Sequence, residues 1–532
     1  MILINSSPQN ALRLFQPFLP IYVPIGVGYL MAVAEREGID AKCIDEQVQE
    51  NTLDLVAEYA KALEPPYFFG FSVLTAAFEH ALAVSQRLKE LYPDSVICFG
   101  GPHPTAMPDE VLAYPQVDIV VRGEGEQVLP ELYRCVKARR DFTHLTGISY
   151  RRNGQVRHNQ DAPVIQDLDS LPPFPYHLFT SPRYDLGFIV SSRGCPYHCI
   201  FCSNRVTTGK RYRYRNTEAV VAELEILYAK YHRRFVLFLD DNLLVNKKRI
   251  YLLLEEIQAK GLHKKMTFSF QARGDNVDEA LLRDLYRSGF RSVFFGLETA
   301  SERIMQLLKK GETVAQCLEA VRMAKQAGFH VSATFIYALP TETHADRMDC
   351  ARLSRELELD MVRFNNATPY PGTELYEIAK RENRLHVQGL YENFNSVSTF
   401  IENPLSKIPF SYVPEGNTEG AIRKDILFSY LLVYLDWRRI KRVLANKNDE
   451  GAGWFSLGGH FKEQLKKLPA LLLLGGMLCL KFGELFVSIL LRRDTSLSMQ
   501  ESLRIFTGRW FRRNQEPGVL NSTPNQAGDN EK

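Results

Sequence analysis

The feature that most constrains this chain is alternation. In residues 1–140 short β-rich runs, Ile2–Asn5, Ala41–Asp45, Tyr67–Ser72, Ser95–Phe99 and Ile119–Arg122, take turns with helical patterns at about 24–37, 51–63, 76–92 and 126–137. Near-continuous apolar strands separated by helices predict a parallel sheet covered on both faces. From Phe188 the alternation resumes, with strand-like runs at Phe188–Ser191, Phe235–Leu239, Met266–Phe270, Ser292–Phe295, His330–Ile336 and Met361–Asn365. Six such repeats predict a parallel barrel or part of one, with chemistry in the loops at the carboxyl ends of its strands. The expected organisation is an α/β domain over 1–140, a connector over 141–185 that includes the proline-rich Asp167–Pro175, a (β/α)6 unit over 186–380, a mostly helical region over 381–513 and a disordered tail over 514–532.

Composition adds exclusions. The 532 residues are 45% hydrophobic with 65 basic and 62 acidic side chains, which argues against disorder for most of the length. A net charge of +3 gives no reason to expect nucleic acid as a partner. The start, MILINSSPQN, lacks the basic residues and long apolar run of a signal peptide, so the chain is expected to be cytoplasmic. Residues 420–513 carry 17 basic and 8 acidic side chains, and Leu468–Leu480 is uncharged. That run falls short of the roughly 20 apolar residues of a spanning helix. It reads either as a helical core element or lid, or as a basic amphipathic surface that touches a membrane or a lipid-like substrate.

Nine cysteines are too few and too scattered for a disulfide scaffold, yet Cys195, Cys199 and Cys202 fall in one CxxxCxxC run just after the first strand of the second block. Three thiolates on one loop can hold three irons of a 4Fe-4S cluster and leave the fourth open to a ligand. A zinc site that recruits His198, or inert buried thiols, are the competing readings.

With the CxxxCxFC run on the first strand–helix loop of a six-fold parallel β/α unit, the sequence resembles the radical S-adenosylmethionine superfamily, whose catalytic domain is a partial TIM-type barrel. The resemblance implies that Cys195, Cys199 and Cys202 are the catalytic cluster ligands and that Phe201 packs near the adenine of S-adenosylmethionine. It implies further cofactor contacts from Asp240 and Asp241 after the second strand, Arg273 after the third and Glu298 in Gly296-Leu-Glu298 after the fourth. Ala338 stands where relatives usually have glycine. A reducing partner of flavodoxin or ferredoxin type is also implied.

The first block, through Val23-Pro24-Ile-Gly26-Val-Gly28, Gly70-Phe-Ser72, Gly100-Gly101-Pro102-His103 and Gly123-Glu124-Gly125-Glu126, resembles the flavodoxin- or Rossmann-like cobalamin-binding domain fused to many of these enzymes. Ser72, Thr75, Gly100, Gly101 and Gly125 are the expected backbone or hydroxyl contacts. His103 sits in a GGPHP turn and is expected near the nucleotide tail, or in no cofactor role, rather than on cobalt; no DxHxxG motif occurs in residues 1–140. The dinucleotide fingerprint GxGxxG is missing there too. The resemblance implies methyl transfer to an unactivated carbon of a small molecule, a lipid-like one or another secondary metabolite, by way of a 5′-deoxyadenosyl radical and methylcobalamin. Its rivals are a cobalamin-dependent radical cyclisation or rearrangement, as in the oxygen-independent tetrapyrrole cyclase, and a non-catalytic cobalamin-binding protein. Methylthio transfer is disfavoured, because Cys43, Cys98 and Cys135 are too dispersed to hold a second cluster.

Overall fold

The computed structural model describes residues 1–7, 21–394, 408–436, 439, 476, 477 and 479–507. Its first sheet runs Lys42–Asp45, Ile2–Asn5, Phe68–Ser72, Val96–Gly100, Ile119–Val121, Ile148–Arg152, Gln155–His158. The first five strands are parallel and the last two antiparallel. Alternate residues feed opposite faces: Ile2, Ile4, Phe69, Ile97 and Phe99 pack under helices Thr52–Ala60 and Phe78–Leu91, whereas Leu3, Phe68, Cys98 and Ile119 pack under Ile25–Arg36 and Leu129–Lys137. Strand order reverses between Ile2–Asn5 and Phe68–Ser72, and such a switch point opens a crevice at the carboxyl edge.

The sheet reaches beyond residue 140. The hairpin Ile148–His158 belongs to it, so the expected connector over 141–185 begins in part as sheet. The local signal is Asn153-Gly154, both residues at positive φ, the turn chemistry that closes a two-residue hairpin.

The second sheet has six parallel strands in chain order: Phe188–Ile189, Phe235–Phe238, Thr267–Ala272, Phe290–Glu298, His330–Tyr337 and Met361–Asn366. Its outward residues, among them Phe268, Phe295, Phe335 and Phe364, are fully buried beneath the surrounding helices. A further parallel pair, Ile21–Tyr22 with Tyr184–Asp185, joins the first domain to the entrance of the second.

In the region expected to be helical, Glu419–Tyr434 forms a helix capped by the Thr418 hydroxyl, which accepts from the Ala421 N–H. It seals the last barrel strand, with the Tyr430 ring 5.2 Å from Phe364. Beneath it lies a fully buried ionic knot. Arg347 donates to Asp425 at 2.7 Å, to Glu342 at 3.2 Å and to Asn417 at 2.9 Å. Glu342 in turn accepts from the N–H of Ala338, held at φ +64°. A left-handed alanine costs about 1 kcal/mol, and this anchored turn keeps it in place.

His344 bridges Asp425 at 2.9 Å and Glu501 at 3.4 Å. Burial opposes its charge, but bonds to the two carboxylates outweigh that and raise its pKa to about 9. A raised cation stabilises the fold fully below its unfolded value of 6.5 and loses that contribution as pH climbs through about 9. Burial also lifts Glu342 to about 8, which has the same sign. His344→Gln is therefore expected to flatten the fall in stability across this window by up to about 1.4 kcal/mol per pH unit. Denaturant midpoints of both proteins along a pH series check it, and parallel curves would remove His344 from the account.

The run Leu468–Leu480 lies mostly, and the tail 514–532 wholly, outside the described residues. Among the described residues no helix is long and apolar enough to cross a membrane.

Candidate functional site

The carboxyl edges of the two sheets face one cavity of about 1590 Å³. This exceeds the roughly 300–1,000 Å³ of a single small-molecule pocket, so the space suits more than one ligand. Ser72, Thr75, Gly100, Gly101 and Gly125 all line it, from the first domain. Gly101 is at φ +95°, and a Cβ there would stand 3.0 Å from the Val73 nitrogen, so only glycine makes this turn. Leu74, also on the wall, is 56% exposed. A glycine floor with hydroxyls and an exposed leucine fits a broad, flat ligand that has an apolar face and a polar rim, which is the chemistry of a corrinoid.

His103 is a correction. It is fully buried, with its ring 4.3 Å from Phe78 and 5.0 Å from Tyr391, and it is absent from the cavity wall. Neither ring nitrogen has a hydrogen-bond partner among the described residues, and burial holds the imidazole near pKa 4, hence neutral. The GGPHP turn rolls into helix Pro102–Ala106, which carries the side chain into the core.

On the opposite wall the cysteine loop leaves a short strand, Ser192–Arg193, paired with Arg213–Tyr214. Gly194 turns the chain at φ +82°, where a Cβ would lie 2.3 Å from the Arg211 carbonyl. The loop is then pinned at its middle and its end. The Arg273 guanidinium lies 3.5 Å from the Tyr197 ring centroid, and Asn276 donates to the Tyr197 hydroxyl at 2.8 Å. The Ile200 N–H donates to Leu308, and the Ile200 carbonyl accepts from the Leu375 N–H. All three thiols are free and half-buried, and burial raises each pKa, to about 12 for Cys199 and about 11 for Cys202. Such thiols ionise only when a cation takes the proton's place.

A tetrahedral zinc would hold its sulfurs about 3.8 Å apart. Among the described residues no three His, Cys, Asp or Glu groups stand close enough to share one ion. Three soft thiolates carried on one pinned loop fit a cube of irons, which takes one thiolate per iron.

The remaining expected contacts divide. Asp241 lines the cavity beside the loop and accepts from Asn204 at 2.5 Å. Asp240 does not line it: fully buried, it accepts from the Ser191 and Ser192 hydroxyls and so fixes the strand leading to Cys195. Arg273 is absent from the wall as well, being bidentate to Asp275 at 2.8–2.9 Å while it braces Tyr197. Phe201 is half-buried against the barrel core. Glu298, at φ +63°, is raised in pKa by burial and pairs with Lys310 at 3.5 Å. Its other oxygen is buried and has no hydrogen-bond partner among the described residues. Gly296 makes this possible, since a Cβ there would stand 2.3 Å from the Glu298 carboxylate.

A latch between the domains escaped sequence reasoning. Glu124 binds Arg193 at 3.1 Å and Arg213 at 2.7 Å, and Glu126 binds Arg193 at 2.7 Å, all nearly buried. The Gly-Glu-Gly-Glu loop thus grips the residue two positions before Cys195. No local pattern announces it, because the partners lie 67 to 89 positions apart.

The radical SAM superfamily model matches residues 189–354 and the B12 binding domain model residues 17–133. An uncharacterized methyltransferase of Pyrococcus horikoshii is 35% identical over 77% of this chain and 88% of its own. The anaerobic magnesium-protoporphyrin IX monomethyl ester cyclase of Cereibacter sphaeroides is 28% identical over 77% and 67%. In architecture the chain is similar to the cobalamin-dependent S-adenosylmethionine radical enzyme OxsB, with a TM-score of 0.64 over 96% of this chain and 83% of that one at 17% identity. Two cofactor-type walls facing one cavity, two matching domain models and a relative aligned over most of both lengths lead to one conclusion: this chain belongs to the radical S-adenosylmethionine enzymes that carry a B12-binding domain.

Proposed function

We propose that the protein transfers a methyl group to an unactivated carbon of a small molecule held between its two domains. The observation that carries this reading is the shared cavity, which brings the glycine floor and the cysteine loop into one space. The methyltransferase relative supports it. When bound, the cluster supplies the electron that opens S-adenosylmethionine, and cobalamin carries the methyl group. The chain's own contribution is holding and shielding. Cys195, Cys199 and Cys202 would hold the cluster. Asp241, on the cavity wall, would accept from an ammonium group, and Glu298, one of whose oxygens has no partner among the described residues, would be a second acceptor. With both cofactors bound, the walls would shield the space where a carbon radical must survive.

The cyclase relative favours a second reading, ring closure on the same cofactors without methyl transfer. Turnover with S-adenosylmethionine labelled at its methyl carbon separates them. Label is expected in the product, and deoxyadenosine formed with an unlabelled product would establish the cyclase reading instead.

A peripheral membrane contact is part of the proposal. Helix residues 479–491 bury Leu485 and Ile489 but leave Leu480, Phe486, Val487, Leu490 and Leu491 at least 50% exposed, followed by exposed Arg492 and Arg493. An apolar face ending in cations suits an anionic lipid surface. The full chain is expected to float with anionic vesicles at low salt and to release at high salt; no flotation at low salt removes this contact.

A further inference from the structure

The barrel carries one surface whose positive charge is left uncompensated. The turns that enter its second and third strands, residues 230–234 and 260–265, hold six Lys or Arg and no Asp or Glu. They lie side by side. The Arg234 carbonyl accepts from the Thr267 N–H at 2.7 Å, and the Lys265 ammonium stands 5.7 Å from the ring centroid of Tyr228, in the last turn of helix Thr217–Ala229. Two of the six cations are paired, Lys260 with Glu225 at 3.2 Å and Arg233 with Asp185 at 3.6 Å. Lys230, Arg234, Lys264 and Lys265 are exposed and have no carboxylate partner among the described residues. Other exposed cations of the barrel do find one, as Lys247 does with Asp278 and Lys309 with Glu374, both at 2.6 Å.

The chemistry of the patch narrows what it can meet. It sits at the amino ends of strands Phe235–Phe238 and Thr267–Ala272, and none of its four unpaired cations lines the cofactor cavity. Three of the four are Lys, flexible point charges that suit a mobile layer of anions rather than the fixed bidentate geometry that Arg reads. Lys230 lies 5.4 Å from the Tyr231 ring centroid, as Lys265 lies over Tyr228, and both rings pack against the barrel core. The chain's own cations and core thus occupy the aromatic faces that a nucleic-acid base would stack on. Ile226, one helical turn before Lys230, is 46% exposed, an apolar group that a headgroup interface accepts.

We propose that the turns 230–234 and 260–265 form an electrostatic docking surface for a bilayer rich in anionic phospholipid. The inference rests on the peripheral membrane contact read from helix residues 479–491 and adds a second anchor to it. A single apolar anchor gives only marginal, reversible binding, and a polybasic patch beside it makes the attachment stable.

The test floats the full chain, loaded with its cofactors, with vesicles of phosphatidylcholine alone or mixed with phosphatidylserine. The wild type is expected to float with the mixed vesicles at low salt and to release at high salt. Each lysine near such a surface is worth about fivefold in partitioning, so Lys264→Gln with Lys265→Gln is expected to bind about 25-fold more weakly. Lys264→Arg with Lys265→Arg keeps the charge and is expected to bind as the wild type does. Phe486→Ser, on the apolar helix, is expected to weaken binding while leaving its dependence on salt intact. All variants are expected to form 5′-deoxyadenosine as the wild type does, which shows that they are folded. A Gln variant that floats like the wild type overturns the patch, whatever the helix variant does. If Phe486→Ser floats like the wild type and the Gln variant does not, the helix contact fails and the patch stands. Equal flotation with phosphatidylcholine alone overturns the proposal. So does a wild type that ignores both vesicles, and binding of polyuridylate in that case assigns the face to nucleic acid.

Discussion

A Cys199→Ala chain purified without oxygen is expected to lose the brown cluster absorbance and to form 5′-deoxyadenosine only at background, while its far-ultraviolet spectrum stays that of the wild type. Each thiolate of the loop would hold its own iron, so a missing sulfur leaves two coordination positions open where the chemistry needs one. The fold survives because the loop is fixed by other means: Gly194 at its entry, Tyr197 under Arg273, and Ile200 between Leu308 and Leu375. Iron and sulfide analysis beside the deoxyadenosine assay gives the answer. A variant that keeps both cluster and cleavage shows that these cysteines are not the ligands.

The second large effect is expected at Glu124. Its carboxylate satisfies Arg193 and Arg213 together and also accepts the Ile165 N–H at 2.7 Å. Both guanidiniums are nearly buried, and while Arg193 keeps Glu126, Glu124→Ala leaves Arg213 without its carboxylate in a low-dielectric interface. Breaking a buried pair in this way costs about 3–5 kcal/mol. The loss should appear as an earlier unfolding midpoint and as weaker retention of cobalamin on gel filtration, because the latch spans the two walls of the cavity. Glu126→Ala should cost less, since Arg193 keeps Glu124. Unchanged midpoints in Glu124→Ala would show that water replaces the carboxylate and that the latch holds nothing.

The sequence made the architecture legible because both sheets are parallel and buried, and such strands announce themselves as apolar runs between helices. It missed the Ile148–His158 hairpin, which breaks the strand–helix rhythm and reveals itself only through Asn153-Gly154. The cysteine loop was legible because its three residues are close in sequence. Asp240, Arg273 and His103 were less so. Each sits in a strand-end motif, but whether its side chain turns to the cavity or into the scaffold depends on Ser191, Tyr197 and Tyr391, which approach only in the folded chain.

The parallel pair between Ile21–Tyr22 and Tyr184–Asp185 bears on what separating the two halves would do. Each two-residue strand takes its strand partner from the other half of the polypeptide, so the two halves, expressed apart, would each lose this pairing. An edge this short offers little template for aggregation. The expected cost of separation is a looser entrance to the second domain.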